Sequence, residues 1–125
     1  MAKHVNLDRK QKRDWRKIRT RKRIDGTAAS PRLCVFKSKK YIYVQAVDDA
    51  KGETIAAASS LEPAIKADLK TSGKHCSAAE LVGQLVSERL KARGIEKVVF
   101  DRSGYIYHGR IKAVAEGARK GGLQF

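Results

Sequence analysis

The chain has only two cysteines, Cys34 and Cys76, and neither stands in a Cys-x-x-Cys pair. That scarcity excludes a disulfide framework and leaves both as expected small buried hydrophobes. Its three histidines, His4, His75 and His108, are scattered. None sits with Cys, Asp or Glu at zinc-ligand spacing, so neither a metal site nor a cofactor is expected. Long apolar runs are missing too. Nothing approaches the roughly 18 to 20 apolar residues of a membrane span, and the opening Met-Ala-Lys-His lacks a secretory apolar stretch, which points to an intracellular protein. No internal repeat is visible.

Acidic residues are scarce as well: 13 Asp and Glu face 28 Lys and Arg, a net charge of +15 in 125 residues. One domain is expected at that length. With 42% hydrophobic residues the chain can bury a core, so the charge is a property of a folded surface that repels itself when alone. The usual relief is a nucleic acid, whose condensed counterions are released on binding. An anionic membrane would need an apolar face beside the charge. Residues 1–23 offer only Val5, Leu7, Trp15 and Ile18 as large apolar groups, so no membrane partner is expected.

The excess is uneven. Residues 1–23 hold eleven Lys and Arg against Asp8 and Asp14, a net of +9, leaving +6 for the other 102 residues. A segment so charged and so poor in apolar groups cannot fold by burial alone. Residues 1–26 therefore read as a basic arm, joined through Asp25-Gly26 and Ser30-Pro31 to a globular domain at 27–125. Strands are expected at Arg32 to Lys37, Tyr41 to Val47 and Glu53 to Ser59, with turns at Ser38-Lys39-Lys40 and Asp48 to Gly52. Ser77-Ala-Ala-Glu80 has capping-box spacing and predicts a helix start. Leu81, Val82, Leu85, Val86 and Leu90 form its apolar stripe, Gly94 its left-handed stop, and Gly83 a point of close packing. A short strand at Lys97 to Phe100 follows, parallel to a strand of the meander. Ile111, Val114, Ala115 and Ala118 then keep helical spacing up to Gly121-Gly122. The fold expected is α/β: an arm, then βββαβα, a mixed sheet with two packed helices.

Catalytic chemistry finds little support. Gly73-Lys74 before a helix suggests a phosphate loop, but the motif's first glycine falls on Asp68 and its Ser or Thr on His75. A metal-dependent nuclease could use Asp48, Asp49, Glu53 and Asp101. Turn and strand-opening chemistry accounts for the first three, and only Asp101 invites a further role. No enzyme and no small-molecule substrate is expected. The segment from Asp101 to Arg110 is richer: Arg102 and Arg110 can bind phosphate, Tyr105, Tyr107 and His108 offer rings to bases or sugars, and Gly104 and Gly109 permit close approach. A structural reading of the same segment puts Tyr105 and Ile106 at the core edge, with Asp101 pairing Arg102 or capping the turn. The hairpin tip Lys37-Ser38-Lys39-Lys40-Tyr41 groups three cations and a ring on an exposed turn.

The stretches Pro31-Arg-Leu-Cys-Val-Phe-Lys-Ser, Tyr41-Ile-Tyr-Val-Gln-Ala-Val-Asp-Asp, Phe-Asp-Arg-Ser-Gly-Tyr-Ile-Tyr-His-Gly-Arg (100–110) and Ala118-Arg-Lys-Gly-Gly-Leu-Gln-Phe125 resemble bacterial large-subunit ribosomal protein eighteen over nearly the whole chain. The resemblance implies a ribosome-bound cytoplasmic protein of the central protuberance. Its partners would be 5S ribosomal RNA, large-subunit ribosomal RNA and neighbouring ribosomal proteins. The RNA contacts it implies lie on the arm, at Arg9, Lys10, Lys12, Arg13, Arg16, Lys17, Arg19, Arg21, Lys22 and Arg23. Others follow at Arg32, on the hairpin at Lys37, Ser38, Lys39, Lys40 and Tyr41, and on the loop at Arg102, Tyr105, Tyr107, His108 and Arg110. Two positions depart from the family: Cys34, often Ser, and Ser103, more usually Gly, whose side chain restricts a backbone that glycine leaves free. An off-ribosome RNA chaperone or regulator with the same surface is the alternative.

Overall fold

Strand β1 (Arg32–Lys37) owes its place to alternation: Leu33 and Val35 are fully buried while Phe36, between Val35 and Lys37, is 52% exposed. It pairs antiparallel with β2 (Ile42–Asp48), so that Leu33 meets Ala46 and Val35 meets Val44 on the inner face. The connecting turn is closed by the Ser38 N–H donating to the Tyr41 carbonyl at 2.9 Å. Strand β3 (Glu53–Ser59) adds to β2 after a turn in which Asp48 accepts the Ala50 N–H at 3.0 Å and Gly52 takes φ +66°. The computed structural model describes residues 8–66 and 75–125. Expectations about residues 1–7, the stretch through Gly73-Lys74 and the side chain of Cys76 lie outside the described residues.

Helix α2 (His75–Lys91) carries the chain across the sheet, so β4 (Val99–Asp101) joins β1 in parallel and the strand order is β3-β2-β1-β4. This is the mixed sheet expected from the sequence. Helix α3 (Gly109–Lys120) follows, and α2 and α3 pack on each other over one face of the sheet. Val82, Val86 and Leu90 of α2 meet Ile111, Val114 and Ala118 of α3 in a core shared with Leu33, Val35, Ile42 and Val44. Each valine, leucine or isoleucine among them contributes about 1.5–3 kcal/mol by leaving water. Gly83 is one of two points of close approach between the helices: a Cβ there would lie 2.2 Å from the Val114 carbonyl oxygen, and one at Gly117 would lie 2.1 Å from that of Glu80. Close packing, the reading of this mid-helix glycine, is what the fold uses it for.

Strand β2 lies one residue later than expected, β4 ends one residue later, and two element starts differ by two residues or more. The second helix is already under way at His75, so Ser77 lies inside it and not at its cap. The last strand begins at Val99, because Lys97 and Val98 pair instead with the C-terminal segment, the Val98 N–H donating to the Gln124 carbonyl at 3.2 Å.

The described part of the arm forms helix α1 (Arg9–Arg21). Its start is a capping box: Asp8 accepts the Gln11 N–H at 2.7 Å and the Gln11 side chain accepts the Asp8 N–H at 3.0 Å. None of its residues is buried, in keeping with so little apolar surface to bury. It is held by polar contacts with the loop between β4 and α3.

Candidate nucleic-acid interface

That loop is shaped from inside by Asp101. The carboxylate, fully buried, accepts the Ser103 N–H at 2.8 Å, and the Tyr105 N–H donates to the Arg102 carbonyl at 3.0 Å. The turn so formed takes Ser103 to φ +54° and Gly104 to φ +75°. It turns Tyr105 inward, where 7% of the residue is exposed, and leaves Ile106 outside at 74%. The core-edge reading of Tyr105 is correct and that of Ile106 is not. The Tyr105 hydroxyl donates to the Lys37 carbonyl at 3.3 Å. Its ring lies between two cations, the Arg13 guanidinium at 4.9 Å and the Lys37 ammonium at 5.2 Å from the centroid. Each such contact is worth about 0.5–2 kcal/mol. Tyr105 therefore binds α1, β1 and the loop together and is not a free ring for stacking.

The seat of α1 is equally specific. Arg16 Nε donates to the Gly104 carbonyl at 2.7 Å, and a Cβ at Gly104 would lie 2.3 Å from the Arg13 carbonyl oxygen. Between helix, hairpin and loop runs an open groove of about 950 Å³, walled by Arg9, Lys12, Arg13 and Arg16 on one side and Lys37, Lys39 and Arg110 on the other. Ile106, His108 and Gly109 complete it. Arg110 steadies the rim by donating to the Ser38 carbonyl at 3.1 Å. Seven cationic side chains meet in this groove and, among the described residues, no carboxylate lines it. Arg13 Nε is buried and has no hydrogen-bond partner among the described residues. Unpaired, such a donor costs about 1–3 kcal/mol or more.

Arg32, expected on the RNA surface, is instead 7% exposed and committed inside the protein. Its guanidinium donates to Asp49 through Nε at 2.8 Å and Nη2 at 2.9 Å, and to Asp101 through Nη1 at 2.8 Å. The reason is strand pairing: β4 sets Asp101 beside Cys34, on the face of the sheet that also carries Arg32. Asp49 therefore does more than turn the chain. It also accepts the Gly26 N–H at 2.7 Å, fastening the arm's junction to the domain. The Arg32 guanidinium holds the Asp49 carboxyl down at about 2 and is itself pushed up. Cys34 is half-buried, and desolvation raises its thiol to about 11. Asp101 does not pair with Arg102; its second cation is Arg21, at 3.9 Å.

The other expected contacts surround the groove. Lys17 and Arg21 point from α1 toward the sheet. Lys10, Arg19, Lys22, Arg23, Ser38, Lys40 and Arg102 are exposed outside it, and Tyr41 is half-buried. Tyr107 is partly exposed and packs edge-on against Phe100, their centroids 6.2 Å apart. The sequence reading missed Phe36 and Tyr43 as outward-facing rings. Strand alternation was the signal for them, since each lies two residues from another exposed or half-exposed position.

Residues 7–125 match the family model for ribosomal L18 of archaea, bacteria, mitochondria and chloroplasts. The chain is 55% identical over 125 residues, all of both chains, to the large ribosomal subunit protein uL18 of Caldicellulosiruptor saccharolyticus. It is 61% identical over 111 residues to that of Methylorubrum populi, covering 88% of this chain and 92% of the relative. With that of Dictyoglomus thermophilum it shares 50% over 121 residues, 97% and 98% of the two.

Proposed function

The chain belongs to the ribosomal L18 family, and from that premise we propose that its cationic groove binds 5S ribosomal RNA and helps attach it to large-subunit ribosomal RNA in the central protuberance. Membership makes it a structural protein of the large ribosomal subunit, not an enzyme, with ribosomal RNA and other ribosomal proteins as partners and the bacterial cytoplasm as its place. The neighbours in this reading are other central-protuberance proteins.

The observation that carries the proposal is the groove's sign. Seven cations from elements up to a hundred residues apart converge where, among the described residues, there is no carboxylate. Folding has brought like charges together, and each phosphate that enters relieves that repulsion while its condensed counterions are released. Exposed His108 and Tyr107 beside the groove supply rings for sugar or base. Residues 1–26 act as the arm, whose Arg9, Lys12, Arg13 and Arg16 form one wall, and residues 27–125 as the domain, whose Lys37, Lys39 and Arg110 form the other.

Salt titration tests the proposal. The full chain should bind 5S RNA more tightly than a transfer RNA of similar charge density, with a steep fall in affinity as salt rises. Lys12→Ala with Lys39→Ala should lower the salt slope by about 2 without changing the melting temperature. Removing residues 1–26 should lower the slope by at least about 4, one for each arm cation on the groove wall, and by more for every other arm cation that meets a phosphate. Equal affinity for both RNAs at near-physiological salt would reduce the activity to generic polyanion binding.

A further inference from the structure

Another face of α1 overhangs a second depression. There the sheet is left uncovered by α2 and α3, and its floor is Phe36 of β1 beside its cross-strand partner Tyr43 of β2. The ring centroids are 6.1 Å apart and the planes inclined at 47°. Gln45, exposed, lies next along β2, and Lys17 and Arg21 of α1 form the overhang of a cleft of about 490 Å³. Phe36 is among the most exposed large apolar side chains described. Two adjacent rings on a sheet face rimmed by polar and cationic groups form a contiguous patch, the kind of surface at which partners bind.

We propose that this cleft receives one unpaired base of the bound RNA, stacked on Phe36 and Tyr43, with the flanking phosphates against Lys17 and Arg21. The inference rests on the RNA-binding reading above and adds a separate subsite to it. Single-stranded bases, splayed out of their helix, are the part of an RNA that stacks on aromatic side chains, and cations alongside hold the backbone. The Gln45 amide can both donate to and accept from a base edge. Charge selects the occupant: two cations line the cleft with the rings, and a chain carrying +15 repels a second copy of itself.

The experiment compares Phe36→Leu, which keeps an apolar group and removes the ring, with Phe36→Trp, which keeps the ring, in the full chain with 5S RNA. Phe36→Leu should weaken binding roughly five- to hundredfold, the equivalent of one lost base–aromatic stack, while Phe36→Trp retains it. The salt slope should stay unchanged in both, since no cation is lost. Ultraviolet crosslinking of the unaltered complex should join Phe36 or Tyr43 to a single nucleotide. Wild-type affinity in Phe36→Leu, with crosslinks confined to groove residues, overturns the subsite and leaves the groove standing. Loss of a bound ribosomal protein with unchanged RNA affinity would assign the cleft to a protein partner and overturn it equally. Failure of the groove reading looks different: there the Lys12 and Lys39 substitutions leave the salt slope of 5S binding untouched.

Discussion

Replacing Arg32 with alanine decides whether this residue belongs to the RNA surface or to the fold. Asp101 is fully buried and receives Arg32 Nη1 at 2.8 Å; without it the carboxylate keeps the Ser103 N–H, a weak contact from the Cys34 thiol at 4.0 Å and, 3.9 Å away, a half-exposed Arg21. Breaking a buried pair by removing one member costs about 3–5 kcal/mol, because the other charge stays behind, whereas an exposed pair is worth about 0–1. For a chain of this length each kcal/mol shifts the melting temperature by roughly 3–5 °C, so Arg32→Ala should lower it by roughly 10–20 °C. Arg32→Met with Asp101→Leu should recover most of that loss, since no charge is then stranded. Recovery stays incomplete by about 2 kcal/mol, about half for the Ser103 N–H left without its acceptor and about half for the lost pairing of Arg32 with Asp49. Urea and thermal melts read the stability, and 5S RNA titration under folding conditions reads the binding. A variant within 1 kcal/mol of the parent, but weakened in RNA binding, would refute this account of Arg32 and restore it to the interface.

Gly104→Ala should release α1: the new Cβ would meet the Arg13 carbonyl at 2.3 Å on a backbone at φ +75°. Weaker 5S binding with an unchanged number of cations, and altered amide resonances along Arg9–Arg21, are the expected signs; unchanged resonances would mean the helix is seated by other contacts. Ser103→Gly should stabilise by about 0.5 kcal/mol, the relief of a non-glycine residue at φ +54° less the added freedom of the unfolded chain. A loss above 1 kcal/mol in thermal melts would show that the buried serine side chain matters more. In acid, Asp49 gives stability that is fully present above its ordinary pKa of 3.8 and lost as pH falls through about 2. That shift corresponds to about 2 kcal/mol, of which solvent screening at this partly open side chain leaves about 1. Urea midpoints between pH 5 and 2 should drop less in Asp49→Asn than in the parent, and identical curves would deny Asp49 its part.

The strands were legible because they carry their information locally. Apolar alternation places β1 and the turn signal at Asp48 to Gly52 places β3 at the expected residues, and the helix between β3 and β4 dictates the parallel partner. Errors fall where the deciding contact is distant. Lys97 and Val98 look like strand, yet Gln124 claims them from the far end of the chain. The two capping-box spacings make the same point. Ser77 to Glu80 lies in a helix already begun, while Asp8 to Gln11, with the same spacing, caps α1 on both sides. A motif of four residues carries no information about whether a helix was nucleated upstream. In the loop, composition showed that aromatic and cationic groups were concentrated there, but not which ring turns inward. Tyr105 goes in and Ile106 out, against their hydrophobicity, because only tyrosine can fill the edge and also donate to the Lys37 carbonyl.

The arm's charge acquires a physical role from the way α1 is held. No residue of α1 is buried, so its docking rests on a few polar contacts, the Arg16 bond to Gly104 and the Arg13 contact with Tyr105 chief among them. Each is worth about 1 kcal/mol. Against them stands repulsion among the seven groove cations, four of which the helix itself brings. A ligand that neutralises the groove removes the opposing energy without adding any protein contact. Docking of α1 and binding of a polyanion therefore favour each other by the same free energy, as linkage requires. Loop geometry then reaches the RNA indirectly: Asp101 never meets a phosphate, but it sets the turn that presents the Gly104 carbonyl to Arg16. Buried acid and exposed base serve one surface, and this is why the carboxylate of Asp101 is found under the most basic segment of the chain.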